Sequence, residues 1–243
     1  LGPAAYLALV LAPLAVAAVV DPFRAQRAWL VEASVACGFL ALPLMLMQFG
    51  LVSRLRPLSR PFGTDALVLL HQYMGFLALA LVLAHPILLN ARGLPLAAWN
   101  PLAGGVARQS GAAAAWAVVC LVVATVLRRR LDVSYEAWRS VHLSLSLLAA
   151  AAAIVHVLAV RGYSSAPLLR GLLWAYALIA VACTLEVRLL RPLRQRARPW
   201  EVVANRDAGA STRTLRLRPV GHSGFAFEPG QFAWLTTGGS PFS

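Results

Sequence analysis

Lysine is missing from this 243-residue chain, and all 22 of its basic residues are arginine. Charge of either sign is scarce, at 13% of residues, where a soluble domain carries about 25%. Cysteine occurs only at Cys37, Cys120 and Cys183, each alone inside an apolar run. No CxxC pair and no extracellular disulfide framework can be drawn from them, so they read as small buried hydrophobes. What fills the chain is apolar: 60% hydrophobic residues and a mean hydropathy of +0.70. That composition excludes the soluble enzyme classes for most of the length and indicates a membrane protein. The net charge of +13 would suit nucleic acid only if it coated a surface evenly, so the placement of the arginines has to be read first.

A spanning helix needs about 20 mostly apolar residues. Six such segments can be drawn, at 3–20, 30–52, 65–90, 111–128, 138–160 and 167–190. Residues 1–20 lack a basic start and are followed by further spans, so they read as a first transmembrane helix and not as a signal peptide. Pro22, Pro57, Pro61, Pro101 and Pro192 fall in the joints, where helices are expected to stop. Pro43 and Pro86 fall inside spans and are expected to kink them.

The arginines are unevenly shared between the two sides. Arg54, Arg56, Arg60, Arg128, Arg129, Arg130, Arg139, Arg188, Arg191, Arg194, Arg196 and Arg198 border one side, twelve in all, against six on the other. The richer side is expected to be cytoplasmic, with both termini inside, as in a bacterial inner membrane. Topology and contact with lipid headgroups then account for the basic charge, and nucleic acid is not an expected partner.

After Pro199 the character changes. Leu215 and Leu217 alternate with Arg216 and Arg218, a strand pattern, with turn signals at Asp207-Ala-Gly and Pro229-Gly230. The expected organisation is a six-helix transmembrane domain over 1–190, a basic linker over 191–199, and the first strands of a β domain over 200–243. The chain begins with Leu1 and stops at Ser-Pro-Phe-Ser, so a fragment of a longer protein is expected.

Four of the five histidines form two matched pairs. His71 and His85 are fourteen residues apart on the third span, and so are His142 and His156 on the fifth. Fourteen helical residues make about 3.9 turns and rise about 21 Å, so each pair shares one face, offset by about 40°. Spans three and five run in the same direction. His71 therefore matches His142 at the arginine-rich depth, and His85 matches His156 at the far one. Facing neutral imidazoles suit the two axial positions of a haem iron. Gly75, Ala78 and Val82 lie between the histidines on one helix, and Ser146, Ala149 and Ala153 on the other; small residues leave room for a macrocycle. Structural histidines on closely packed helices are the plainer alternative. Zinc fits less well, because a structural site wants four near ligands. Arg60 and Arg139 are candidates to pair with haem propionates. Trp116, Trp138 and Trp174 are candidates for electron passage or for packing. Tyr73 and Phe76 project away from the histidine face, and His222 reads as a surface-loop residue.

Six spans, histidines fourteen apart on the third and fifth, and a following β segment resemble the ferric reductase-like transmembrane family, which includes ferric-chelate reductases and NADPH oxidases. The stretch FEPGQFAWLTTGGSPFS, residues 227–243, resembles the start of a ferredoxin reductase-type FAD domain, a β-barrel that would be truncated here. The flavin motif of that family, His-Pro-Phe followed by Ser or Thr, is replaced by Ser240-Pro241-Phe242-Ser243, so no FAD-contacting residue is assigned. The resemblance implies two haem b groups, an inner one on His71 and His142 and an outer one on His85 and His156. It implies a membrane oxidoreductase that moves electrons from cytosolic NAD(P)H and FAD to ferric iron or dioxygen on the opposite side, the NAD(P)H domain lying beyond this chain. Two alternatives stand beside it: a haem-bearing subunit serving a separate partner protein, and a proton-relay transporter or channel without haem. The β segment counts against the first, and the scarcity of acidic residues in the spans counts against the second.

Overall fold

A computed structural model describes residues 2–20, 28–55, 59, 61–90, 99–227, 233 and 235. Arg60, Pro229–Phe232 and Ser240–Ser243, singled out above, lie outside the described residues. Six apolar helices dominate: α1 (Pro3–Val20), α2 (Trp29–Leu51), α3 (Thr64–Asn90), α4 (Val106–Leu127), α5 (Tyr135–Val160) and α6 (Pro167–Leu185). Each of these runs is long and apolar enough to cross a membrane. Helices are the natural solution there, because every backbone N–H and C=O must find its partner within the segment. The chain is an integral, multi-pass membrane protein, all-α through its spans, as composition indicates.

The chain divides into two compact units that meet at Cys183 and Thr184. In the first unit α2 packs along α3, and α4 along α5, with thinner contacts joining α1 to α2, α3 to α4 and α2 to α5. Small residues set the closest of these approaches. Ala114 of α4 and Ala152 and Ala153 of α5 are buried together in the main core with Phe39, Leu42 and Leu46 of α2. Leu169, Leu173 and Tyr176 carry α6 into the same core, and the Tyr176 hydroxyl donates to the Leu9 carbonyl at 2.5 Å. Large apolar side chains such as Tyr73, Phe76, Leu178 and Ile179 stay exposed, which suits a surface that meets lipid.

Two helix starts lie earlier than the hydropathy suggests. α4 begins at Val106, five residues before the apolar run, behind Gly105 in an extended conformation. α5 begins at Tyr135 because the Ser134 hydroxyl accepts the Ala137 N–H at 3.3 Å, satisfying one of the orphan donors at the helix end.

In the second unit a π-helix, Glu186–Leu190, is followed by α7 (Arg191–Arg196). Pro192 therefore does not end the helical path as expected. It falls in the first turn after the wider π turn, where a missing N–H matters least. Arg194 hydrogen-bonds Glu186, and Arg191 lies 3.9 Å from the same carboxylate. Strands β1 (Trp200–Gly209) and β2 (Thr212–Pro219) form a two-stranded antiparallel sheet with Val202 opposite Leu217 and Glu201 opposite Arg218. The turn comes slightly later than Asp207-Ala-Gly suggests, at Ala210 and Ser211, both with positive φ. His222 is half-buried and not simply a surface residue: its ring meets Trp200 edge-on at 5.2 Å, and its Nε2 donates to the Pro199 carbonyl at 2.9 Å.

Candidate functional site

Helices α3 and α5 bring all four histidines together in two pairs. The ring centroids of His71 and His142 are 6.2 Å apart with planes at 53°. Those of His85 and His156 are 6.1 Å apart with planes at 75°. A first-row metal binds an imidazole nitrogen at about 2.0–2.1 Å, and a further 1.1 Å or so separates that nitrogen from the ring centre, so trans imidazoles have centroids about 6.2 Å apart. Both pairs meet that spacing. Among the described residues no group of three or more His, Cys, Asp or Glu side chains gathers to hold a metal ion. The donor set at each level is thus two imidazoles, which suits a metal whose other positions a macrocycle fills.

The proton positions on the second pair follow from what each Nδ1 touches. His85 Nδ1 lies 2.7 Å from the Ser34 carbonyl, and His156 Nδ1 lies 2.6 Å from the Ala107 carbonyl. A carbonyl only accepts, so each Nδ1 carries the proton and each Nε2 keeps its lone pair for a metal. The Ser34 hydroxyl donates to the His85 carbonyl at 2.7 Å and sits 3.0 Å from the same Nδ1.

Both carbonyls belong to helices, Ser34 within α2 and Ala107 in the first turn of α4, and are reachable for one reason. A helical side chain leans back over the turn before it, so the residue four positions later covers each carbonyl. After Ser34 that residue is Gly38, and after Ala107 it is Gly111. A Cβ at Gly38 would meet His85 Nδ1 at 3.4 Å, and one at Gly111 would meet His156 Nδ1 at 2.7 Å. These glycines are cradles for imidazole rings. The sequence reading passed over them, because their partners lie some fifty residues away on other helices.

The first pair is held by side chains. The Thr125 hydroxyl donates to the Leu121 carbonyl at 2.7 Å, which leaves its oxygen to accept from His142 Nδ1 at 3.2 Å and from Trp138 Nε1 at 3.4 Å. With its amide nitrogen towards the ring, Gln48 reaches His71 Nδ1 at 2.6 Å and accepts from the Gly75 N–H at 3.2 Å. Trp138 packs on His142 with centroids 5.1 Å apart, and the Arg128 guanidinium lies over the Trp138 ring at 5.0 Å.

A cavity of about 610 Å³ opens at the second pair, bordered by His85, His156, Phe39, Trp99, Arg108 and Tyr163. That volume is typical of cofactor sites, which run about 300–1,000 Å³. Arg108 supplies the cavity's guanidinium, a group suited to a carboxylate, and sequence reading had not connected it with the site. Tyr163 donates to the Glu32 carboxylate at 3.1 Å and meets Phe39 edge-on.

The small residues expected between the histidines divide in role. Val82 and Ala153 line the cavity. Ala78 is instead buried against Val10 and Leu44, and Ala149 against Ala117 and Val118, with Met45 and Leu79 alongside; both serve helix packing. A Cβ on Gly75 would meet nothing within 4 Å, and the Ser146 hydroxyl donates to the His142 carbonyl at 2.6 Å. Arg139, half-buried, lies one turn before His142. Of the tryptophans, Trp138 touches a histidine, Trp116 donates to the Trp99 carbonyl at 2.9 Å, and Trp174 is half exposed.

Residues 37–155 match the family model described as ferric reductase like transmembrane component. The match runs from α2 to one residue short of His156, and takes in His71, His85 and His142. No curated protein sequence matches the chain.

Proposed function

Through residues 37–155 the chain belongs to the ferric reductase-like transmembrane family, a family of membrane oxidoreductases, and on that premise we propose that it carries electrons across the membrane on two haem b groups. The observation that carries this reading is the pair of imidazole couples, with centroids 6.2 and 6.1 Å apart, on the same two helices. His71 and His142 would hold the inner haem, and His85 and His156 the outer. When bound, the iron supplies one-electron oxidation and reduction.

The chain's own residues do the rest. The Ser34 and Ala107 carbonyls fix the proton on Nδ1 of the outer histidines, so each Nε2 keeps its lone pair for a metal. Two imidazoles per site would hold each iron, and the group would then supply electron transfer to an acceptor outside the coordination sphere. Ala117, Val118 and Ala149, with Met45 and Leu79, make an apolar layer within the bundle. The proposed source of electrons is cytosolic NAD(P)H through FAD, both termini lying on that side, and the proposed acceptor is ferric iron or dioxygen on the other. The twelve-to-six arginine bias supports the orientation.

The test is a reduced-minus-oxidised absorption spectrum of the detergent-purified chain, with haem quantified against protein. Two b-type haems per chain are expected. A chain expressed with ample haem supply that carries none would overturn the reading.

A further inference from the structure

The spacing of fourteen is not confined to the histidines. Ser34 and Gln48, the two α2 residues that reach histidines, are fourteen apart. On α4 the same spacing separates Gly111 from Thr125, and the carbonyl-bearing residues Ala107 and Leu121. α2 therefore serves His85 and then His71, and α4 serves His156 and then His142, each in a constant register. The two levels are equivalent in position but not in chemistry. At the outer level the anchors are main-chain carbonyls uncovered by glycine. At the inner level α4 carries Thr125 where the outer level has Gly111; its hydroxyl bonds the Leu121 carbonyl and receives the histidine itself.

We propose that Thr125 is a positioning residue for the inner pair, acting through His142, that sets the redox potential of the inner haem independently of the outer one; this rests on the two-haem reading above. A group that accepts the Nδ1 proton makes an imidazole a more basic ligand and favours the oxidised metal. A main-chain carbonyl keeps its oxygen whatever side chain is substituted, whereas the acceptor for His142 is a side-chain hydroxyl that one substitution removes. Thr125 dictates its tautomer, because its one hydroxyl proton is committed to Leu121. Gln48 does not, since an amide can turn either its nitrogen or its oxygen to His71. Nitrogen towards Nδ1 suits the ring with its proton on Nε2. Ligation through Nε2 requires the opposite turn, with the amide oxygen accepting from Nδ1–H.

The experiment is a spectroelectrochemical titration of the full chain, wild type against Thr125→Val and Thr125→Ser, with haem content measured alongside. Thr125→Val removes an acceptor and should raise one midpoint. The relative affinity for the two oxidation states is expected to change about tenfold, or about 59 mV for a one-electron couple, with the second midpoint unmoved. Thr125→Ser keeps the hydroxyl and should titrate like the wild type, which also guards against a variant that fails to fold. Two haems with unmoved midpoints in Thr125→Val, or equal movement of both midpoints, would overturn the inference and leave the electron-transfer reading intact. A wild type without haem would instead sink the reading beneath it.

Discussion

A Cβ placed on Gly111 would stand 2.7 Å from His156 Nδ1, closer than carbon and nitrogen can approach without something moving. The equivalent contact between Gly38 and His85 is 3.4 Å, near ordinary van der Waals distance. His85 and His156 thus sit in cradles of unequal tightness, and the two glycines are separable by experiment.

On the proposed reading, Gly111→Ala should cost the chain the haem held by His85 and His156, about one of two, while Gly38→Ala keeps most of it. Alanine in place of glycine favours a helix by about 0.5–1 kcal/mol, so a loss of haem without a loss of helix stability would locate the effect at His156. Haem-to-protein ratio and circular dichroism on the same samples measure both.

His142→Ala and His71→Ala should each remove one haem and leave the other, and His85→Ala or His156→Ala the reverse. Low-temperature spectra of the four variants should fall into two classes by which α-band is lost. Four indistinguishable spectra would contradict the pairing.

Arg108 lines the cavity beside His85 and His156, so Arg108→Leu should loosen a carboxylate-bearing cofactor there. Transfer of haem from the variant to excess apomyoglobin should be about tenfold faster for one haem and unchanged for the other, in line with the modest worth of a charge-assisted hydrogen bond. Arg108→Lys keeps the charge without the planar fork and should fall between.

The hairpin turn places Ala210 at φ 48° and Ser211 at φ 60°, conformations that suit asparagine and glycine. Replacing Ala210-Ser211 by Asn-Gly should stabilise the β1–β2 pair by roughly 0.5–1 kcal/mol, seen as slower limited proteolysis within 200–219. Haem content should be unaffected.

Much of the membrane part could be read from the chain alone. Hydropathy marks six spans because lipid demands an unbroken apolar stretch about 20 residues long, and four of the six helices keep both ends within three residues of expectation; the sixth stops at Leu185, where the path continues as a π-helix. The fourth starts earlier because the polar residues Arg108, Gln109 and Ser110 stay helical ahead of the apolar run. The matched histidines were equally readable, since fourteen residues return to nearly one face of a helix.

The sequence by itself determined the periodic facts: which segments span, and which histidines share a face and a depth. Those depend only on the geometry of one helix. Only the tertiary structure decided how each helix is turned about its axis, and so that Ser34 and Gly38 meet His85, that Gly111 receives His156, and that Gln48 and Thr125 attend the other pair. It also assigned Ala78 and Ala149 to packing, where the spacing alone had put them beside a cofactor. The fourteen-residue repeat of anchors on α2 and α4 was present in the sequence throughout. It became visible once the helices were paired, because a serine, a glutamine, a glycine and a threonine share no chemistry until each is seen against the same nitrogen of a histidine.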